Sequence, residues 1–217
     1  MTIESPQITA LQPTKRDPDR LTIKVAGKAV ATLNRRHVED LGLSVGQAWS
    51  DELADAVAEM AIYDKAMRDA MRRLARRAMS RGQVRDKLRT LGHGVSVIDR
   101  VLARLSELEL IDDAAFGRML IDETRRSRPA GPRLLQQKLR QKGLDPELIG
   151  RLIAEAEQNA DADDDARALI DKTLPRLRNC DGPTRRRRLY GVLARRGFDH
   201  DVIQRAMEEA KSHDADE

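Results

Sequence analysis

The sequence predicts a mainly α-helical protein: three tandem three-helix repeats preceded by a small module that contains a β-hairpin. Three observations lead to this. Of 217 residues, 40% are hydrophobic and 35% charged but only 2% aromatic, so any core must rest on Leu, Ile, Val, Met and Ala. Strand-forming runs are confined to a short stretch near the N-terminus. From about Asp51 onward, apolar residues recur at helical spacing, and that pattern itself repeats.

Taken in order, residues 1–19 hold three prolines and little periodicity, which predicts a disordered tail. "RLTIKVAGKAVATL" follows. Leu21, Ile23 and Val25 alternate with polar residues, and Val30 and Leu33 come after Ala26-Gly27, the layout of two short strands around a turn. "NRRHVEDLGL" reads as a helix capped by Asn34 and stopped near Gly42. This module is expected over residues 20–53. Helical repeats are expected at 54–111, 112–160 and 161–211, with a second disordered tail at 212–217.

The repeats align on Gly92, Gly143 and Gly197. Four residues before each glycine stand Leu88, Leu139 and Leu193, and eight before stand Val84, Leu135 and Leu189. Such positions share one helix face. A glycine just past the helix supplies the left-handed conformation that ends it. Six residues after come Ile98, Ile149 and Ile203. The pairs Val101-Leu102, Leu152-Ile153 and Ala206-Met207 then complete the stripe of a second helix. A further helix precedes each pair. Its buried stripe is expected at Met67, Ala70, Met71 and Leu74, then Phe116, Met119 and Leu120, then Ala166, Leu169, Ile170 and Leu174. Asp112 or Asp113 is the expected N-cap of the second copy. The acidic stretch "DADDDA", Asp161 to Ala166, suits the positive end of the helix that opens the third.

The sequence carries no pattern for catalysis or for a cofactor. His37, His93, His200 and His213 are scattered and far from the single cysteine, Cys180. Zinc spacings, phosphate-binding loops and dinucleotide fingerprints are lacking. A lone cysteine excludes an internal disulfide and fits a reducing cytoplasm. No apolar run reaches the roughly 18–20 residues that span a bilayer, and the N-terminal residues lack a signal-peptide layout. What stands out is charge. Residues 64–109 carry twelve Lys and Arg against six Asp and Glu, within a net charge of +4. Arg68, Arg72 and Arg76 fall at i, i+4, i+8 with Arg73 and Arg77 alongside, and Arg81, Arg85 and Arg89 repeat the spacing. Such rows suit phosphates or acidic protein surfaces. Arg185, Arg186, Arg187 and Arg188 form a further run. At about 100° per residue they must fan around a helix rather than form a stripe.

The stretch "LARRAMSRGQVRDKLRTLGHGVSVIDRVLARLSELELIDDAAF", with "GPRLLQQKLRQKGLDPELI" and "VLARRGFDHDVI", resembles the RecX family of bacterial regulators of the RecA recombinase. Gly117, His93 and Leu144 depart from the family's pattern. The resemblance implies an elongated, curved body that lies along the groove of the RecA filament on DNA and bridges neighbouring subunits. It implies repression of ATP hydrolysis, strand exchange and coprotease activity, within homologous recombination, DNA repair and the SOS response. It also implies a cytoplasmic, non-enzymatic monomer without cofactors, and weak, non-specific DNA binding. The residues expected to face the partner are Arg72, Arg73, Arg76 and Arg77 in the first repeat and Arg126, Lys138, Arg140 and Lys142 in the second. Arg185 to Arg188 are a secondary contact, while Gly92, Gly143, Gly197 and Asp112 are assigned to structure. The competing expectations are a stand-alone DNA-binding repeat protein and a helical scaffold for another partner.

Overall fold

The computed structural model describes residues 6–158 and 162–215, the last five as backbone only. The chain divides into two compact units. One comprises residues 1–77 and 84–110, the other residues 78–83 and 111–217.

The first unit opens with a three-stranded antiparallel sheet in the order β1 (Ile8–Pro13), β2 (Arg20–Val25), β3 (Lys28–Asn34). β2 and β3 form the expected hairpin. Ala26 and Gly27, at φ 45° and 78°, make the tight turn whose twist matches the strands. β1 corrects the expectation of a structureless tail over residues 1–19. The prolines bracket this strand instead of breaking it: Pro6 precedes it and Pro13 ends it, at the sheet edge where a missing N–H costs nothing. Ile8 is fully buried with Leu21, Ile23, Val25 and Leu33. Residues 1–5 of that tail lie outside the described residues.

Helix α1 (Arg35–Asp40) starts where the Asn34 side chain accepts a hydrogen bond from Arg36 N. Gly42, at φ 59°, follows its end. Helix α2 (Asp51–Leu74) is capped by Ser50, whose side chain accepts from Leu53 N. A module boundary at residue 53 would therefore cut the first turn of α2. Its N-terminal half covers the sheet, adding Val57, Leu53 and Met60 to the β core. Its C-terminal half packs on α4 (Val95–Glu107), which buries Ile98, Val101, Leu102 and Leu105. Met71 departs from the expected stripe: it is 41% exposed, as is Met119 of the second repeat at 47%. The small Ala66 and Ala70 fill the inner face of α2 instead. Helix α3 (Arg81–Thr90) lies between α2 and α4 in sequence and buries Val84 and Leu88.

In the second unit, α5 (Asp113–Ser127), α6 (Pro132–Gln141) and α7 (Pro146–Gln158) enclose Phe116, Ile121, Leu135, Leu139, Leu144, Ile149 and Leu152. Gly117 lies against Leu152 and Leu144, whose ends occupy the space a Cβ would take. Helix α8 (Ala162–Thr173) with a 3-10 turn at Leu174–Leu177, α9 (Gly182–Arg195) and α10 (His200–Ala215) enclose Ala166, Leu169, Ile170, Leu189, Leu193, Phe198 and Ile203. Because α10 continues through Ala215, most of the tail expected over 212–217 is helical; residues 216–217 lie outside the described residues. The three-helix unit thus occurs three times.

Consecutive second helices meet end to end in the second unit. Ser80 and Gln83 form a reciprocal capping box, and the Ser80 hydroxyl also donates to Lys142 O. There Gly82 lies so close to Gly143 that a Cβ would sit 2.5 Å from its carbonyl oxygen. The same joint recurs one repeat on. Gly131 N donates to Arg196 O at 2.9 Å and Arg133 N to Gly197 O at 3.1 Å, with Arg133 ion-paired to Asp199. Gly143 and Gly197 have φ of 74° and 80° and Gly92 of 82°, but space around Gly92 is open.

Candidate partner-binding faces

The cations of the first unit are distributed less simply than their spacing suggests. Helix α2 ends at Leu74, so Arg76 and Arg77 leave it in the following turn and the row counted at helical spacing stops at Arg72. The cause is local: Ser80 begins the capping box of α3 only six residues later. Arg68 folds back, its Nε donating to Asp64 O at 3.3 Å, and burial followed by the nearby Arg20 lowers its pKa. Asp69 neutralises part of the face, pairing with Arg72 at 2.7 Å and with the buried His93 at 3.0 Å while its carbonyl takes Arg73. Arg89 pairs with Asp86. These two aspartates, each three residues before its arginine, neutralise part of the excess counted in the sequence. Arg76, Arg77 and Arg85 remain exposed, without an ion pair among the described residues.

A polar cluster that the sequence did not announce lies where α2 meets the sheet. Asp64, 4% exposed, accepts from Asn34 N and lies 2.6 Å from His37 Nδ1 and 3.9 Å from the buried Arg20. Arg20 in turn donates to Thr32 O. These groups, with Tyr63, Met67, Arg68, Met71, Arg104 and Leu108, line a cavity of about 300 Å3. Burial raises the Tyr63 phenol pKa, partly offset by Arg100, which stacks on the ring. Asp64 spends both carboxylate oxygens on its own fold, so this cluster fastens the sheet to α2.

In the second repeat, the four expected cations separate into two pairs. Lys138 of α6 and Lys142, the residue that caps its C-terminus one turn later, are half-buried and line a polar cavity of about 360 Å3. Leu120, Glu123, Thr124 and Ser127 of α5, with Gln141, complete it. Arg126 and Arg140 stay exposed outside it. Arg125 turns inward and donates to Ala156 O. No sequence signal links Thr124 to Lys138, because they come from different helices and meet only through packing.

The four arginines of the third repeat occupy the first turns of α9 and fan out. Arg186 reaches Gln204, Arg188 donates to Cys180 Sγ at 3.2 Å, and Arg187 is exposed near Asp181. Arg185 and Arg186 edge an apolar cavity of about 480 Å3 with Leu174, Leu189 and Met207. Asp181, the N-cap of α9, accepts from Thr184 N. Hydrogen bonding to Thr184 first, and the Arg187 charge last, hold its carboxyl below the usual range. The acids of α8 are likewise engaged: Asp163 with Arg205 and Asp164 with Arg167. Among the described residues no His, Cys, Asp and Glu are grouped as metal ligands, and no helix is long and apolar enough to cross a membrane.

Three family models match the chain: the first three-helix domain of RecX at residues 66–105, the second at 112–151 and the third at 161–207. A "Regulatory protein RecX" of Prosthecochloris aestuarii is 34% identical over 145 residues, which are 67% of this chain and 93% of that protein. One of Clostridioides difficile is 23% identical, covering 95% of this chain and 97% of its own. The crystal structure of a regulatory protein RecX superposes with a TM-score of 0.82 at 21% identity, covering 94% of this chain and 99% of that one. RecX from Lactobacillus salivarius gives 0.62 over 68% of this chain and 96% of its own. At that identity the two structures speak to the fold alone.

Proposed function

This chain belongs to the RecX family, and from that premise we propose that it binds filaments of a RecA-type recombinase on DNA and restrains them. The restrained activities are ATP hydrolysis, strand exchange and coprotease function. The observation that carries the reading is the match to all three RecX domain models, beside alignments that cover 93% of one relative named regulatory protein and 97% of another. The protein acts by binding and not by catalysis, as a monomer in the cytoplasm. Exposed cations agree with a target made of acidic protein surface and DNA phosphate: Arg76 and Arg77 in the first repeat, Arg126 and Arg140 in the second. Arg72 and Arg73 join the first set after exchanging their Asp69 contacts for partner contacts.

The test is ATP hydrolysis by the cognate recombinase on single-stranded DNA, with this protein titrated in and filament binding followed by sedimentation. Dose-dependent inhibition is expected. Unchanged hydrolysis together with no co-sedimentation refutes the reading. The polar cavity at Lys138 and Lys142 favours a second reading, a DNA-binding repeat protein without a recombinase partner. Salt-dependent binding of bare DNA with no effect on the recombinase distinguishes it.

A further inference from the structure

We propose that the cavity between α5 and α6 is a subsite for one phosphodiester of a nucleic-acid strand, held by Lys138, Lys142, Gln141 and Thr124. This rests on the reading above, that the protein works on a DNA-bound filament, and assigns it a point of contact with the strand. Lys138 and Lys142, one turn apart at the C-terminal end of α6, line the same space. Neither forms an ion pair among the described residues. Thr124 is only 3% exposed, and it lines the same cavity from the α5 side, bringing a hydroxyl donor to it. Gln141 adds an amide donor from the last turn of α6.

Charge selects the ligand. Lys138 and Lys142 contribute two positive charges and Glu123 one negative, leaving the lining at +1. That balance matches the single negative charge of a phosphodiester. A terminal phosphate, as in a free nucleotide, carries more charge and meets the Glu123 carboxylate. The carboxyl end of α6 also opposes an anion, which explains why one lysine would not suffice. A carboxylate side chain has the same charge, and the peptide competitor in the experiment below separates it from a phosphodiester. The cavities at Asp64 and beside Arg186 do not offer this chemistry. At Asp64 the polar groups are consumed by the fold, and beside Arg186 the lining is apolar.

The experiment measures binding of a fluorescent single-stranded oligonucleotide to the full chain by anisotropy across a salt series. Free ATP and a poly-glutamate peptide serve as competitors. The double variant Lys138→Gln/Lys142→Gln is expected to bind several-fold more weakly, with its salt slope reduced by about 0.7, the share of one phosphate on a single strand. Thr124→Val should weaken binding several-fold with the slope unchanged, and Glu123→Gln should tighten it. Thermal melts by circular dichroism verify that each variant folds. An unaltered slope in the double variant, or displacement of the oligonucleotide by peptide or ATP at equal charge concentration, overturns the proposal. The same proteins are then titrated into the recombinase ATPase assay. Wild-type inhibition alongside an unaltered oligonucleotide slope removes this subsite and leaves the proposed function standing. A changed slope without any effect on the recombinase does the reverse.

Discussion

Replacing Gly197 with alanine tests the joint between the second and third repeats. Gly197 has φ 80°, where an L side chain is strained by about 1–2 kcal/mol. A Cβ there would also overlap the backbone N of Leu134 and come within 2.7 Å of its Cβ. Backbone cannot swing aside as a side-chain tip can, so the joint must open. Its two hydrogen bonds, Gly131 N to Arg196 O and Arg133 N to Gly197 O, are then lost at about 0.5–1.5 kcal/mol each. The expected cost is about 2–5 kcal/mol. Gly92→Ala is the control, because it shares the left-handed backbone but has open space around it. It should cost only the strain, about 1–2 kcal/mol. In urea unfolding followed by far-UV circular dichroism, with m of about 2 kcal/mol/M, the Gly197 variant should lose about 1–2.5 M in midpoint and the control about 0.5–1 M. Leu193→Ala marks the transition that belongs to the third repeat's core. Equal losses at Gly197 and Gly92 would refute the idea that backbone apposition, rather than the turn, is what requires glycine at the joint.

Asp64→Ala leaves the buried Arg20 and His37 without their anion and should destabilise the first unit by about 3–5 kcal/mol in chemical denaturation. Reversing Arg72 and Arg76 to Glu should weaken co-sedimentation with recombinase filaments while leaving the far-UV spectrum unchanged; full binding at moderate salt would exclude that face. The Asp181 carboxyl, held low chiefly by Thr184, should titrate by carbon NMR below its ordinary 3.8. With a depressed folded-state value, its stabilising contribution is complete above the ordinary value and disappears as pH falls through the folded one. Thr184→Val should raise that midpoint more than Arg187→Gln does, following the order of the two causes.

The repeat was legible in the sequence because its marks are local. A glycine that ends a helix, apolar residues one and two turns before it, and a cap such as Asn34 all act within a few residues. What remained hidden depends on residues far apart in the chain. β1 was obscured because Pro6, Pro13 and Pro18 resemble a tail when the partner strand is not considered, although Ile8 and Leu11 fit β2 once it is. Met71 and Met119 lie on plausible inner faces by helical period, but periodicity does not say whether a neighbour covers them. The row Arg68, Arg72 and Arg76 presumed a helix that in fact stops at Leu74. The polar cavity draws Thr124 from α5 and Lys138 from α6, a pairing that only the fold brings about. Gly82 and Gly131 escaped the alignment because they stand ten and twelve residues before Gly92 and Gly143. The property they share is a neighbour and not an offset.

These joints have a genetic corollary. Every missense change of a glycine codon introduces a side chain, so Gly82, Gly131, Gly143 and Gly197 tolerate synonymous drift and little else. Inactivating alleles of a gene for such a protein should therefore gather at four small, uncharged positions. Carriers of those alleles would show a shortage of folded protein, with unimpaired binding by whatever fraction still folds.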